Sequence, residues 1–194
     1  MWFKDENPAT VDLFIFTAPS GAGKTTIVKH LLKTFDVLDF SVSATTRKNR
    51  AQEKDGVDYY FKSVEEFKQL IANDAFVEWE EVYNDQFYGT LKSEIQRLLD
   101  KGKKVVFDID VQGALDIKRV YSDRALVIFV NPPSKETLFE RLKRRNTESP
   151  ESLKKRIDKA TRELTFSERF DMKLSNDKLD VALANAESII RKHL

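Results

Sequence analysis

Hydrophobic positions along the chain follow two rhythms. Short apolar runs recur at Val11–Thr17, Phe40–Ser43, Val105–Ile109, Leu126–Val130 and Met172–Leu174, each the length of a buried strand. Between them apolar residues fall three and four apart. Thr26–Phe35 predicts an amphipathic helix, Lys135–Arg145 a basic one, and Leu179–Leu194 a last one with Leu179, Leu183, Ala186 and Ile190 facing inward. Ser149-Pro150 offers a cap and an N1 proline to a further helix, with Leu153, Ile157, Ala160 and Leu164 on one stripe. Strands alternating with helices predict an α/β fold: a mainly parallel β-sheet core flanked by helices.

The alternation breaks twice. From Val42 to Thr90 there is a basic loop, an apolar patch at Asp58–Phe61, a short helix and the run Phe76–Tyr83. The short helix carries a capping box, Ser63 with Glu66, ahead of Phe67, Leu70 and Ile71 on one face. The second break follows Asn131-Pro132-Pro133. With no repeat and no Gly/Ser linker, both breaks read as insertions in one domain over 11–190. The core then spans about 11–41, 92–132 and 164–194, with a mixed α/β lobe over about 42–91 and a helical lid over about 133–163. Residues 1–10 form an N-terminal extension.

Composition removes several function classes. Hydrophobic residues at 41% and charged residues at 34% are those of a folded globular chain. A net charge of +1 gives no electrostatic case for nucleic acid or a membrane as partner. The absence of cysteine excludes disulfides, zinc–thiolate sites and thiol nucleophiles. The two histidines, His30 and His193, read as solvent-facing bystanders, so no histidine-based nucleophile constellation is available. Lys4, Asp5, Glu6 and Pro8 interrupt the N-terminus, no apolar run reaches membrane-span length, and a cytoplasmic protein is expected. Whether it is a monomer or a homodimer is left open.

The chemistry starts at Ala18-Pro19-Ser20-Gly21-Ala22-Gly23-Lys24-Thr25, between the first strand and the first helix. A strand, a Gly-rich turn and a helix N-terminus make a phosphate cradle of inward N–H groups and a favourable dipole. A lysine reaches the terminal phosphates and a hydroxyl meets Mg²⁺. Ala18 stands where the pattern's first glycine is usual, and Gly21 and Gly23 keep the positions where backbone freedom matters most. Thr26 continues the cradle into the helix. The expected ligand is a nucleoside triphosphate. Asp108-Ile109-Asp110, at the C-terminal end of a predicted central strand, puts hard oxygens beside the cradle, and Asp110 is also placed to cap the helix from Val111.

Downstream, Thr45-Thr46-Arg47-Lys48-Asn49-Arg50 and Asp55-Gly56-Val57-Asp58-Tyr59-Tyr60-Phe61 resemble the guanylate kinase pattern T-T-R-x-P-R-x-G-E-x-x-G-x-D-Y-x-F. The resemblance runs from Val11 through the final helix, with the motifs in order. It implies that ATP phosphorylates GMP, and dGMP as well, with Mg²⁺ as cofactor. Arg47 and Arg50 can each fork onto phosphate oxygens, and Tyr59 and Tyr88 can each donate an O–H to the same phosphate. Glu78 can accept from both N1–H and the 2-amino group of guanine, a pair that adenine lacks. By resemblance these residues, with Ser43 and Thr90 near O6 and Asp110 on the same side, bind GMP. The family's D-I-D-x-Q-G implies that Asp108 reaches the metal through water while Thr25 ligates it. Arg141, Arg145 and Arg156 match lid positions that clamp the ATP phosphates, and Asn176 matches a position near the adenine. Asn49 replaces the pattern's proline, Gln52 its first glycine and Asn146 a lid glycine, and one extra residue lies between Glu78 and Tyr88. Two other readings are a P-loop kinase of ribose 1,5-bisphosphate and a non-catalytic guanylate-kinase-like module.

Overall fold

The computed structural model describes residues 10–144 and 150–194. From its N-terminal side, β1 (Leu13–Thr17) leads into α1 (Lys24–Thr34) and β2 (Leu38–Phe40). The chain then builds β3 (Ala44–Thr45), β4 (Tyr60–Phe61), α2 (Val64–Ala72), β5 (Phe76–Tyr83) and β6 (Gln86–Leu91). It returns through α3 (Lys92–Asp100), β7 (Lys104–Ile109), α4 (Val111–Tyr121) and β8 (Ala125–Asn131). The last elements are α5 (Lys135–Arg144), α6 (Pro150–Leu164), β9 (Met172–Ser175) and α7 (Leu179–His193).

Five strands form a parallel sheet in the order β2-β7-β1-β8-β9. β1 lies at its centre with all five residues buried, so it reads as an unbroken apolar run. Phe14 and Phe16 pack with Ile27, Leu31, Ala186 and Ile190 on one face; Leu13 and Ile15 pack with Ile95, Leu98 and Ile117 on the other. The register sets Phe16 beside Asp108 and Thr17 beside Ile109. The loop after β1 and the carboxylates after β7 therefore emerge together at the C-terminal edge, where ligands bind in such sheets.

The second sheet has the order β4-β3-β6-β5 and is mixed: β3 runs parallel to β4 and antiparallel to β6, which pairs antiparallel with β5. Its small core stacks Phe67 on Phe76 at 4.4 Å and on Phe87 at 5.3 Å. Ser63 holds α2 in place through the capping box expected from sequence.

Two expectations need correction. Phe40–Ser43 is not one strand: β2 ends at Phe40, and Ser41–Ser43 carry the chain across to the second sheet. The Val42 N–H there donates to Glu94 at 3.3 Å, a bond a continuous strand would have made to its neighbour. Within Asp58–Phe61, for which no strand was expected, Tyr60–Phe61 form β4. In α7, Leu179 is 48% exposed while Ala182, Ala186 and Ile190 are buried. The inward stripe starts at Ala182, since Leu179 and Val181 in the first turn are both exposed. The stripe of α6 does pack inward, with Ala160 buried and Leu153, Ile157 and Leu164 against the main core. No helix among the described residues is long and apolar enough to cross a membrane.

Candidate active site

Thr17 ends β1, and the backbone turns through Gly21 at φ 94° and Gly23 at φ 92°, both left-handed. Gly23 caps α1, and a Cβ built on it would lie 2.4 Å from Asn176 Nδ2. Asn176 is buried and donates from that nitrogen to the Ala22 carbonyl at 2.7 Å. Its amide thus braces the loop from the end of β9 and lines neither cavity described below. Ala18 is buried and is not among the residues with positive φ, so its Cβ fits and the glycine usual there is dispensable.

Lys24 Nζ donates to the Ile109 carbonyl at 2.7 Å and lies 2.5 Å from Asp108 Oδ1. Thr25 Oγ1 donates to the other Asp108 oxygen at 2.6 Å. A hydroxyl and a carboxylate therefore stand side by side at the cradle's end. Among the described residues no group of three or more His, Cys, Asp or Glu could cage a metal. Such a sparse set of hard oxygens fits Mg²⁺, which keeps its waters and takes its remaining ligands from phosphates. The cradle, from Ala18 to Thr26, opens into a cavity of 420 Å³ that Arg156, Lys159, Glu163, Asp108 and Asp110 close. Arg156 Nη2 donates to Ser20 Oγ at 3.2 Å, and Arg141 Nη1 reaches the Gly21 carbonyl at 3.5 Å. Arg145 lies outside the described residues.

A second cavity, of 280 Å³, is lined by Ser43, Tyr59, Glu78, Glu80, Tyr88 and Gly89. It shares Val82, Asp108, Asp110 and Lys159 with the first. Alternation along β5 and β6 explains its lining: Glu78, Glu80 and Val82 fall on one face, opposite Thr90 and Tyr88 across the ladder. Thr90 is fully buried and donates to Glu78 Oε1 at 2.5 Å, so its hydroxyl orients the carboxylate and does not line the cavity. Burial pushes the Glu78 carboxyl up to about 7; the nearby Asp110, Asp116 and Glu80 charges add to this, and the Thr90 bond opposes it. Gly113 leaves room for the same side chain, because a Cβ there would come within 3.2 Å of Glu78 Oε2.

The two loop arginines fare differently. Glu53 grips Arg47 with paired bonds of 2.9 and 2.8 Å, and the guanidinium lies 5.2 Å from the Tyr59 ring centre. Tyr59 meets Tyr88 edge-on at 6.1 Å, which places Arg47 at the rim of the second cavity. Those bonds push the Glu53 carboxyl down to about 2. The Arg50 side chain is exposed and lines neither cavity, although its N–H donates to Glu53 at 2.8 Å. Asp110 accepts from Gly113 N–H at 2.9 Å as the cap of α4, and it lines both cavities.

Sequence reasoning missed Glu53, Glu80, Lys159 and Glu163. Glu80 was detectable as the residue two positions beyond Glu78 on a strand. Glu53 stands at the pattern's own glutamate, three residues beyond Arg50. Lys159 and Glu163 gave no signal, for they read as part of α6's charged surface.

A family model described as guanylate kinase matches residues 11–193. Among curated relatives, the guanylate kinase of Bacteroides thetaiotaomicron is 49% identical over 185 residues, covering 95% of this chain and 91% of its own. That of Porphyromonas gingivalis is 51% identical over 168 residues, covering 86% and 89%. The crystal structure of guanylate kinase from Anaplasma phagocytophilum superposes with a TM-score of 0.73 at 29% identity, over 95% of this chain and 86% of that one. The similarity runs through both insertions as well as the parallel core, and the chain belongs to the guanylate kinase family.

Proposed function

We propose that this chain transfers the γ-phosphoryl group of ATP to GMP, giving ADP and GDP, and that it accepts dGMP as well. One observation carries the reading. A phosphate cradle and a cavity with a buried carboxylate share one wall, at Asp108, Asp110 and Lys159. In this reading the segment over about 42–91 is the GMP-binding lobe, that over about 133–163 the lid, and the rest of 11–190 the core.

Each side chain then has a task. The loop N–H groups from Gly21 to Thr26 and Lys24 Nζ hold the β- and γ-phosphates. Thr25 and, through water, Asp108 would hold Mg²⁺, which when bound neutralises charge on the bridging phosphate oxygens. Glu78, ionised and steadied by Thr90, accepts from guanine N1–H and the 2-amino group, while Ser43 borders the same cavity. Arg47, Arg50, Tyr59 and Tyr88 bind the acceptor phosphate. Its second pKa near 6 (about that of any phosphomonoester) leaves an oxygen ready to attack, so no general base is needed. Arg141, Arg145 and Arg156 meet the charge on the moving group and exclude water. Asn176 supports ATP binding through the loop it braces. An Mg²⁺ requirement and a cytoplasmic place belong to the same proposal.

A ribose bisphosphate acceptor would bring no base to Glu78, and a non-catalytic module would have no use for Lys24 against the cradle. The test is ADP formation from Mg-ATP with GMP, dGMP, AMP, CMP, UMP or ribose 1,5-bisphosphate. Turnover with GMP and dGMP and little with AMP is expected. Equal turnover with AMP would falsify the reading of Glu78, and Lys24→Ala retaining normal turnover would remove the cradle's role.

A further inference from the structure

Carboxylates gather at the wall between the two cavities, where two phosphate-bearing substrates would meet. Glu80 lines the second cavity and Glu163, only 8% exposed, lines the first, while Asp108 and Asp110 line both. Lys24 pairs with Asp108. The other three carboxylates converge on Lys159, whose Nζ lies 3.3 Å from Asp110 Oδ2 and 3.9 Å from both Glu80 Oε1 and Glu163 Oε1. These partners sit on separate parts of the fold. Lys159 and Glu163 belong to α6, Asp110 caps α4 at the end of β7, and Glu80 is on β5 of the second sheet. Two of the three separations exceed hydrogen-bond length, so the ammonium is held by charge from three sides and not by one geometry.

We propose that Lys159 is a positioning residue for phosphoryl transfer, neutralising the shared wall so that both sets of phosphates can be brought together against it. The inference rests on the GMP-kinase reading above. Without the ammonium, Glu80, Asp110 and Glu163 would oppose each incoming substrate. The repulsion would be greatest with both bound, when the phosphates are closest to the wall and to each other. Burial raises the Glu163 carboxyl to about 7, and the facing Lys159 ammonium opposes that rise. The Lys159 side chain is 48% exposed, so solvent screens the effect and it is moderate in size.

The experiment compares steady-state ADP formation by the unmodified protein, Lys159→Met, Lys159→Arg and the double variant Lys159→Met/Glu80→Gln, varying GMP at saturating Mg-ATP and the reverse. Lys159→Met is expected to raise KM for GMP about three- to tenfold, with a smaller rise for ATP and a lower kcat. Lys159→Arg restores most of the loss. Adding Glu80→Gln to Lys159→Met lowers KM for GMP again, because one opposing charge is gone. Thermal unfolding of each variant without substrate accompanies the kinetics, and midpoints within a few degrees show intact folds. Unchanged KM and kcat in Lys159→Met overturn the proposal. So does a loss that neither arginine nor Glu80→Gln relieves, which would assign the lysine to packing. An unmodified protein silent toward GMP strikes the kinase reading itself, whereas an active one matched by Lys159→Met strikes only this inference.

Discussion

Glu78 is both the most informative residue of the acceptor cavity and a costly one. Its carboxyl, at about 7 in the fold against an ordinary 4.5, keeps a proton that the unfolded chain releases between those values. The unfolded state binds fewer protons there, so stability falls as pH rises from about 4.5 to 7. Glu78→Gln removes that dependence while keeping an acceptor for Thr90. It is expected to unfold about 3 kcal/mol harder than the parent at pH 8 and equally at pH 4, which denaturant titrations at the two pH values check. Activity moves the other way. Guanine reading needs the anion, so kcat/KM for GMP should drop about tenfold per unit as pH falls below that of half-ionisation, an inflection absent from the glutamine variant. The cradle's small residues differ in kind. Ala18→Gly is expected to cost about 0.4–1 kcal/mol through the unfolded chain and to leave KM for ATP unchanged. Gly23→Ala should lose ATP binding, because its φ of 92° and the contact with Asn176 leave no place for a methyl group. Asn176, which the family resemblance puts near the adenine, braces the loop backbone through its amide.

Among elements, the β5–β6 hairpin decides whether Glu78 points anywhere useful. β5 was legible as an apolar and aromatic run over Phe76–Tyr83, but β6, Gln86-Phe87-Tyr88-Gly89-Thr90-Leu91, shows no strict alternation and becomes a strand by pairing. Gly89 sits at the closest approach: a Cβ would lie 2.8 Å from the Glu78 carbonyl, 2.9 Å from Phe76 Cδ1 and 2.9 Å from Trp79 Cβ. Gly89→Ala must push β5 away and carry Glu78 and Glu80 with it. KM for GMP is expected to rise at least tenfold with KM for ATP little changed, in two-substrate kinetics. The segment Ser41–Ser43 teaches a related lesson. Its apolar and hydroxyl residues have the composition of a strand, and periodicity gives no sign that the chain changes sheets there. Glu94 at the start of α3 holds the crossing, accepting from Val42 N–H, the Tyr60 hydroxyl and Arg97.

At the scale of the molecule the site is a meeting of two sheets and a helical arm, so ligands should bind across parts of the fold and stabilise it as a whole. Mg-ATP at about a hundred times its Kd is expected to add about 2.7 kcal/mol to unfolding. Lys24→Ala should keep the melting midpoint of the free protein and lose most of that increment, which calorimetry would read directly. The sequence alone determined the parallel core, the cradle and the order of its motifs, because each depends on near neighbours: an apolar run, two glycines that allow left-handed turns, a lysine and a hydroxyl at a helix start. It also determined the family, through residues whose spacing is itself the signal. Only the tertiary structure decided which charges meet. Arg47 and Arg50 look alike in the chain, yet Glu53 holds the first side chain at the cavity rim while the second is exposed. Lys159 is one of many charges on α6 until packing sets it between Glu80 and Asp110, residues 79 and 49 positions away. Local sequence fixes local geometry; an electrostatic environment is a sum over elements that only packing brings within a few ångströms.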